Sequence, residues 1–325
     1  MRYVIGLDIG GTKLSVSLGY ADNDCIKIKQ KKILSTPQGN YHCALENMAD
    51  IAKDLIHEEG IKNEDVAGIG ISSGGPLDSK KGIILSPPNL IGWDKVRIVD
   101  YYNTKLGIPT YLQNDANACA IAEWKYGSGR GTQNMIFLTF GTGVGAGLIL
   151  NGALYSGTND MAGEIGHCRA PAFDGAFYSP VGHGKASSFE GFCSGAGIAE
   201  LGRTMALEKF QQGEKPGFCS TVEELNNLSA RHIAKAADEG DKLAQFVYRC
   251  SGRYLGGMLS LLIDLLNPEV IVIGSVYTHS AHLLEESMRE VMDIESLTRS
   301  RAVCEIKRAA LGNELGDIAA MSIVP

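Results

Sequence analysis

No two cysteines in this sequence have the C-x-x-C spacing; the eight present are scattered along 325 residues. In a long chain without a secretion signal, that pattern predicts reduced thiols and a cytoplasmic protein rather than a disulfide framework. A secretion signal is not expected, because Met1-Arg2-Tyr3 leads directly into an apolar run and its acid at Asp8. Nor is there a run that could span a bilayer: the longest apolar stretch, Met258 to Leu266, is interrupted by Asp264. A basic tract is also lacking, and the net charge is −7, which argues against a nucleic-acid partner. The G-x-x-x-x-G-K-[ST] pattern is absent, which excludes a P-loop kinase. What remains is 44% apolar and 21% charged, an ordinary globular composition, with a length suited to two domains.

The stretch that stands out is Tyr3-Val4-Ile5-Gly6-Leu7-Asp8-Ile9-Gly10-Gly11-Thr12-Lys13-Leu14-Ser15-Val16-Ser17-Leu18. An apolar run leads in and a period-2 alternation leads out, so two strands joined by a glycine turn are predicted. Glycines let a backbone approach a ligand, and successive N–H groups in a turn make an anion-binding concavity. An acid beside such a nest would repel bare phosphate, but it makes sense with Mg²⁺ or its bound water in between. The motif reads equally as an ordinary glycine-turn hairpin. The same grammar returns at Met135 to Leu150, around Gly141-Thr142-Gly143-Val144-Gly145-Ala146. Two such units suggest an internal duplication with a nucleotide held between two similar lobes. The second also fits the G-x-G-x-x-G/A dinucleotide pattern, with Glu164 near the acidic position. That fingerprint has to open a helix, and here Gly147-Leu148-Ile149-Leu150 reads as a strand.

Along the rest of the chain, strands alternate with helices, the α/β signature. Residues 20–36 read as a third strand, His42–Glu59 as a helix ended by Gly60, and Val66–Ile71 as a buried strand entering the loop Ser72–Pro76. Ser86–Trp93 reads as an irregular loop with one buried-looking amide. Thr110–Gln113 reads as a short strand before Asn114-Asp115 and a helix from about Ala116 to Tyr126. Asp115 thus lies where open α/β sheets place ligands, though it also reads as a simple helix cap. Beyond Gly163-Glu164-Ile165-Gly166-His167 comes a loop from about Cys168 to Ser188. Helices are predicted near Ala196–Phe210, Val222–Leu225, Ala230–Glu239, Lys242–Leu266 and Ala281–Met292. Strands are predicted at Glu269–Ser275 and Arg301–Ile306, and a last helix from about Asn313.

These motifs together resemble the ROK family of sugar kinases, in the actin/hexokinase/Hsp70-like superfamily. Asp8-Ile9-Gly10-Gly11-Thr12-Lys13 is similar to its first phosphate motif, Asn114-Asp115-Ala116-Asn117-Ala118 to its catalytic motif and Gly141-Thr142-Gly143-Val144-Gly145 to its second phosphate motif. Glu164-Ile165-Gly166-His167 is similar to its E-x-G-H sugar motif, and Ile273-Gly274-Ser275-Val276 to its adenosine glycines, with Ser275 where a second glycine is commoner. The resemblance implies an α/β fold of two ribonuclease-H-like lobes, each with a mixed five-stranded sheet, and a cleft between them. Residues 1–115 with 313–325 would form the sugar and phosphate lobe, and 116–312 the nucleotide lobe. It further implies ATP and Mg²⁺, with Asp115 as general base. Asp8, Gly10, Gly11, Thr12, Lys13, Thr142, Gly143, Gly145 and Gly274 would hold the nucleotide, and Asp8 would hold Mg²⁺. Gly75, Asn89, Asn114, Asp115, Glu164, His167 and Glu190 would hold the sugar, and a homodimer or homotetramer is implied.

The sequence departs from the family in two places. Many members bind a structural zinc through C-x-C-G-x-x-G-C-x-E, but the three cysteine positions here hold Val181, His183 and Ser188. Valine cannot ligate and serine is a poor zinc ligand, so no zinc is expected. Gly74 replaces the first proline of the family's Pro-Gly-Pro loop, in Ser73-Gly74-Gly75-Pro76. The activity implied is transfer of phosphate from ATP to a hexose, with glucose at its 6-hydroxyl leading. Fructose, allose, mannose and the N-acetylated hexosamines stay open. The competing class is a non-catalytic sugar-binding regulator. A repressor of the family carries a helix-turn-helix ahead of the first motif, whereas seven residues precede Asp8 here.

Overall fold

The computed structural model describes residues 2–22, 25–170, 185 and 187–325. By contacts the chain divides into a first unit (Met1–Phe137, Gly147–Ala162 and Ala310–Pro325) and a second (Leu138–Ala146 and Gly163–Ala309). The expected division at 115/116 differs from this one, because the helix after Asp115 packs with the C-terminal helix of the first unit.

The first unit is built on a five-stranded mixed sheet. Its strands are β1 (Arg2–Ile9), β2 (Lys13–Ala21), β3 (Ile26–Ser35), β4 (Val66–Ser73) and β7 (Thr110–Asn114), in the order β3-β2-β1-β4-β7. β1, β2 and β3 run antiparallel, while β1, β4 and β7 are parallel. A small hairpin, β5 (Leu77–Asp78) with β6 (Ile83–Ile84), follows β4. Side chains of a strand alternate between the two faces, and β1 uses both. Ile5, Leu7 and Ile9 enter a core completed by α1 (Tyr41–Glu59) and α2 (Ile98–Leu106). Val4 enters a second core with α3 (Asp115–Tyr126) and α10 (Leu315–Ser322). Asp8 follows Val4 by four positions and so shares that face.

Glycines on this face let α10 rest directly on the sheet. A Cβ at Gly70 would fall 1.9 Å from the Ala320 carbonyl oxygen, and one at Gly6 would fall 2.8 Å from Met321 Cγ. The α1 helix starts at Asn40, whose side chain accepts from the Cys43 N–H at 3.1 Å. It ends at Gly60, in the left-handed conformation with φ +74°.

The second sheet repeats the first in order: β10-β9-β8-β11-β12. Its strands are β8 (Met135–Phe140), β9 (Val144–Leu150), β10 (Ala153–Tyr155), β11 (Val270–Ile273) and β12 (Glu305–Arg308). β9 and β10 run antiparallel and β11 and β12 parallel. The helices of the second unit are α4 (Phe189–Cys193), α5 (Gly195–Gln211), α6 (Ala230–Asp238), α7 (Lys242–Leu266), α8 (Val276–Glu295) and α9 (Thr298–Arg301). Asp241 caps α7 by accepting from the Ala244 N–H at 2.7 Å, and Asn267 ends it at φ +47°. This is the helix the sequence predicts, with the same bounds. The two sheets bear out the α/β class and the repeated lobe.

Several expectations shift. Residues 98–106 form α2 although only Ile98, Tyr102 and Leu106 are buried and Arg97 makes no side-chain cap. The predicted helix at Val222–Leu225 is a 3₁₀ turn at Glu223–Asn227. The predicted strand Arg301–Ile306 begins as α9 and pairs only from Glu305. Among the described residues, no helix is long and apolar enough to cross a membrane.

Candidate active site

In the first unit, the candidate residues gather at the carboxyl ends of three parallel strands, where open α/β sheets place ligands. The register sets Ile9 of β1 beside Ser73 of β4, and Ser73 beside Asn114 of β7. Asp8, one residue earlier, lies beside Ser72. The Gly10–Lys13 turn closes with Gly10 N–H donating to the Lys13 carbonyl at 3.1 Å, and the Thr36 hydroxyl donates to the Gly10 carbonyl at 2.6 Å. Neither Gly10 nor Gly11 has a positive φ. Gly11 is required by space instead: a Cβ there would come within 2.5 Å of the Asn89 carbonyl oxygen. The Pro87-Pro88-Asn89 loop therefore lies against the Gly10–Lys13 turn. The side chain of Asn89 is exposed, not buried as its loop suggests; the indole of Trp93 is what the loop buries.

Asn114 and Asp115 divide the work at the start of α3. The cap is Asn114, whose side chain accepts from the Ala116 N–H at 3.0 Å. Asp115 is the first helical residue; its Oδ1 also accepts from the Ala116 N–H, at 2.8 Å, and its side chain is exposed. The cap reading of Asp115 is thereby corrected. Gly75, joined to Pro76 by a cis peptide bond, sits beside Asn114: a Cβ at Gly75 would lie 3.3 Å from Asn114 Nδ2.

Asp8 is strongly perturbed. Its carboxyl is pushed up to about 6, first by burial, then by the negative charges of Asp317 and Asp115; Lys13 and Lys31 pull it the other way. Asp317 is a residue that sequence reasoning missed. It is 4% exposed, and it takes hydrogen bonds from the Ser15 hydroxyl at 2.6 Å and from Lys31. Its signal was visible: Asp317 is the lone charge in Leu315–Ser322. Burial first, and then the two neighbouring carboxylates, keep Asp8 from ionising easily. Among the described residues no three acids, histidines or cysteines cluster as metal ligands, so a divalent cation here would rest on Asp8 with phosphate and water oxygens.

The second unit carries the other half of the candidates. β8 and β9 flank the Gly141–Gly143 turn, with Gly141 N–H donating to the Gly143 carbonyl at 3.1 Å; Thr142 at its tip is exposed. Gly145 lies within β9, a strand that continues to Leu150, so the dinucleotide fingerprint opens no helix. Glu190, in α4, brings its carboxylate onto this turn: Oε2 accepts from the Val144 N–H at 3.0 Å, and a Cβ at Gly143 would meet that same atom at 2.6 Å.

The Glu164–His167 segment is a tight turn against β9. A Cβ at Gly166 would lie 2.1 Å from the Val144 carbonyl oxygen, and one at Gly163 would lie 2.0 Å from that of Ala146. Close approach is thus what the glycine of E-x-G-H provides. Glu164 and His167 are both exposed, and the His167 carbonyl accepts from Lys185 at 2.9 Å. Pairing of Arg169 with Ser188, and of Phe189 N–H with the Cys168 carbonyl at 2.9 Å, returns the chain to Glu190.

Gly274 N–H donates to the Leu138 carbonyl at 2.9 Å, and Ser275 after it is held at φ +53°, a conformation natural to glycine. Of the zinc-motif positions, Val181 and His183 lie outside the described residues. Ser188 is buried and caps α4, accepting from the Gly191 N–H at 3.2 Å.

A family model described as "ROK family" matches residues 4–325. The glucokinase of Halalkalibacterium halodurans is 30% identical over 317 residues, 98% of this chain and 93% of that protein. The crystal structure of a ROK family glucokinase from Streptomyces griseus, in complex with glucose and AMPPNP, is 26% identical with a TM-score of 0.74 and covers 99% of both chains. A ROK family transcriptional regulator, described as a homologue of the E. coli MLC protein, superposes with a TM-score of 0.85 at 22% identity, over 99% of this chain and 77% of that one. At that identity the likeness to the regulator speaks for the fold alone. With its two repeated sheets and a family match across residues 4–325, the chain belongs to the ROK family.

Proposed function

We propose that the protein is a sugar kinase that transfers the γ-phosphoryl group of ATP to a hexose, with the 6-hydroxyl of glucose as the leading acceptor. The observation that carries this reading is the strand-end alignment of the first unit. It sets Ile9, Ser73 and Asn114 side by side, with Asp8 one residue before Ile9, the glycine turn just after it, and Asp115 opening α3.

Phosphoryl transfer needs positioning and charge neutralisation more than covalent help from the protein. Asp115 is the general base. It takes the proton of the sugar hydroxyl while that oxygen bonds to the γ-phosphorus and the bond to the bridging oxygen of ADP breaks. Gly75, Asn89, Asn114, Glu164, His167 and Glu190 are the residues proposed to orient the sugar. The turn N–H groups with Thr12, Lys13 and Thr142 receive phosphate oxygens, and Gly145 and Gly274 take the nucleotide beside them. Asp8 would hold Mg²⁺, directly or through water; when bound, that ion neutralises phosphate charge. No zinc belongs to this reading, because Val181 offers no donor and Ser188 serves as a helix cap. A zinc content near one per chain by elemental analysis would contradict that part.

The test is ADP release with Mg²⁺ across a panel of hexoses and N-acetylated hexosamines. Turnover with a preference for glucose supports the full proposal, and a preference for another sugar keeps the kinase and replaces the substrate. A sugar that raises the thermal midpoint with no turnover of any panel member would favour a sugar-binding regulator instead.

A further inference from the structure

Beneath Asp8 lies a polar group that the proposed reaction does not call on. Asp317 stands in the first turn of α10 and is almost fully buried. Its Oδ1 accepts from the Ser15 hydroxyl at 2.6 Å, and its Oδ2 is paired with the ammonium of Lys31. Ser15 is the cross-strand partner of Asp8 in the β1–β2 register, and Lys31 reaches over from β3. The residue before Asp317 touches Asp8 itself: a Cβ at Gly316 would lie 3.0 Å from Asp8 Oδ2.

A buried charge is destabilising unless it is paired and hydrogen-bonded, and a well-packed apolar group in its place is often no worse. The other side chains that α10 gives to this core are Ile318, Ala319 and Met321. Packing alone would therefore be served by another apolar residue at 317. An acid at that position, held next to a second acid and balanced by a lysine drawn from two strands away, fixes a charge at one point of the unit.

We infer that Asp317 and Lys31 are positioning residues whose opposite charges, fixed beneath the Asp8 carboxylate, set its affinity for the divalent cation accompanying ATP. The inference rests on the reading of Asp8 as the cation-holding acid. Coulomb's law makes the two members act with opposite sign. Asp317 adds negative charge beside Asp8 and attracts the cation, whereas Lys31 repels it.

The test uses the full chain with ADP and Mn²⁺, and counts free Mn²⁺ by its spin resonance. Asp317→Asn keeps the size and an acceptor for Ser15 but removes the charge. It should weaken Mn²⁺ binding about three- to tenfold. Lys31→Met keeps the apolar stem and should tighten Mn²⁺ binding by a similar factor. The double variant should return close to wild type. In turnover, the KM for the ATP–metal complex should move in the same two directions while the KM for sugar stays put.

A purely structural role predicts lowered thermal midpoints with Mn²⁺ affinity unchanged, or weakened in both variants. Either result in folded protein overturns the inference. If Asp317→Asn does not fold, Lys31→Met alone decides it by the sign of its effect. Failure of the wild type to hold Mn²⁺ with ADP would overturn the kinase reading itself, and this inference with it.

Discussion

The two glycine hairpins share a grammar in the sequence and differ in what backs them. At the first, the acid comes with the strand: Asp8 lies on β1 and is ringed by Asp115, Asp317, Lys13 and Lys31. At the second, the acid comes from a helix more than forty residues on, as Glu190 of α4 places its carboxylate on the Val144 N–H. The glycines differ too. Gly11 is hemmed in by the main-chain oxygen of Asn89, but Gly143 only by the tip of the Glu190 side chain. The lesson is that repeated motifs need not be repeated electrostatics. The first hairpin ends in a buried acid set among charges of both signs. The second has a helix-borne carboxylate that accepts from the Val144 N–H of the turn.

The comparison breaks most visibly at Asp115. Asp115→Asn should lower turnover by at least about 100-fold while leaving sugar binding by calorimetry near wild type. Near-normal turnover would move the chemistry away from the first unit.

Next come the paired glycines. Gly11→Ala should destabilise by about 1–3 kcal/mol in urea unfolding, since a main-chain oxygen has to give way. Gly143→Ala should cost less than about 0.5 kcal/mol, because Glu190 can swing aside. Equal costs would erase the distinction.

Asp8 sharpens the comparison through pH. Its carboxyl is raised from the ordinary 3.8 to about 6, so the folded state favours the protonated form. Below pH of about 4, Asp8 is protonated in both folded and unfolded chains and carries no penalty. As pH rises through 4 to 6 the unfolded chain ionises first and stability is lost, and above 6 the loss is constant. Asp8→Asn should therefore match wild type at low pH and exceed it by on the order of 2 kcal/mol at pH 8, read from urea midpoints. In the second unit, Ser275→Gly relieves a side chain held at φ +53° and should stabilise by about 1 kcal/mol.

Much of this was legible because periodicity and punctuation are local. Asp241 and Asn267 bracket α7 in the chain as in the fold, and the alternation of Ile5, Leu7 and Ile9 against Val4 and Asp8 already assigns faces to β1. The strand ends at Asp8 and Asn114 were legible for the same reason, since glycine or asparagine marks them. What the chain order hid is what long-range contact decides. Asn89 looked buried because two prolines and Leu90 surround it, yet its backbone, not its side chain, is what meets Gly11. Asp115 looked like the cap, and the neighbour one residue earlier does that work. The pairing of Asp317 with Ser15 spans 302 positions, and no spacing rule reaches that far.

The central claim is phosphoryl transfer from ATP to a sugar hydroxyl. It is tested most directly by incubating the protein with ATP, Mg²⁺ and glucose and reading the products by phosphorus NMR. The account predicts ADP and glucose 6-phosphate in equal amounts. Inorganic phosphate in place of the sugar phosphate, or ATP left intact with every sugar supplied, would contradict it.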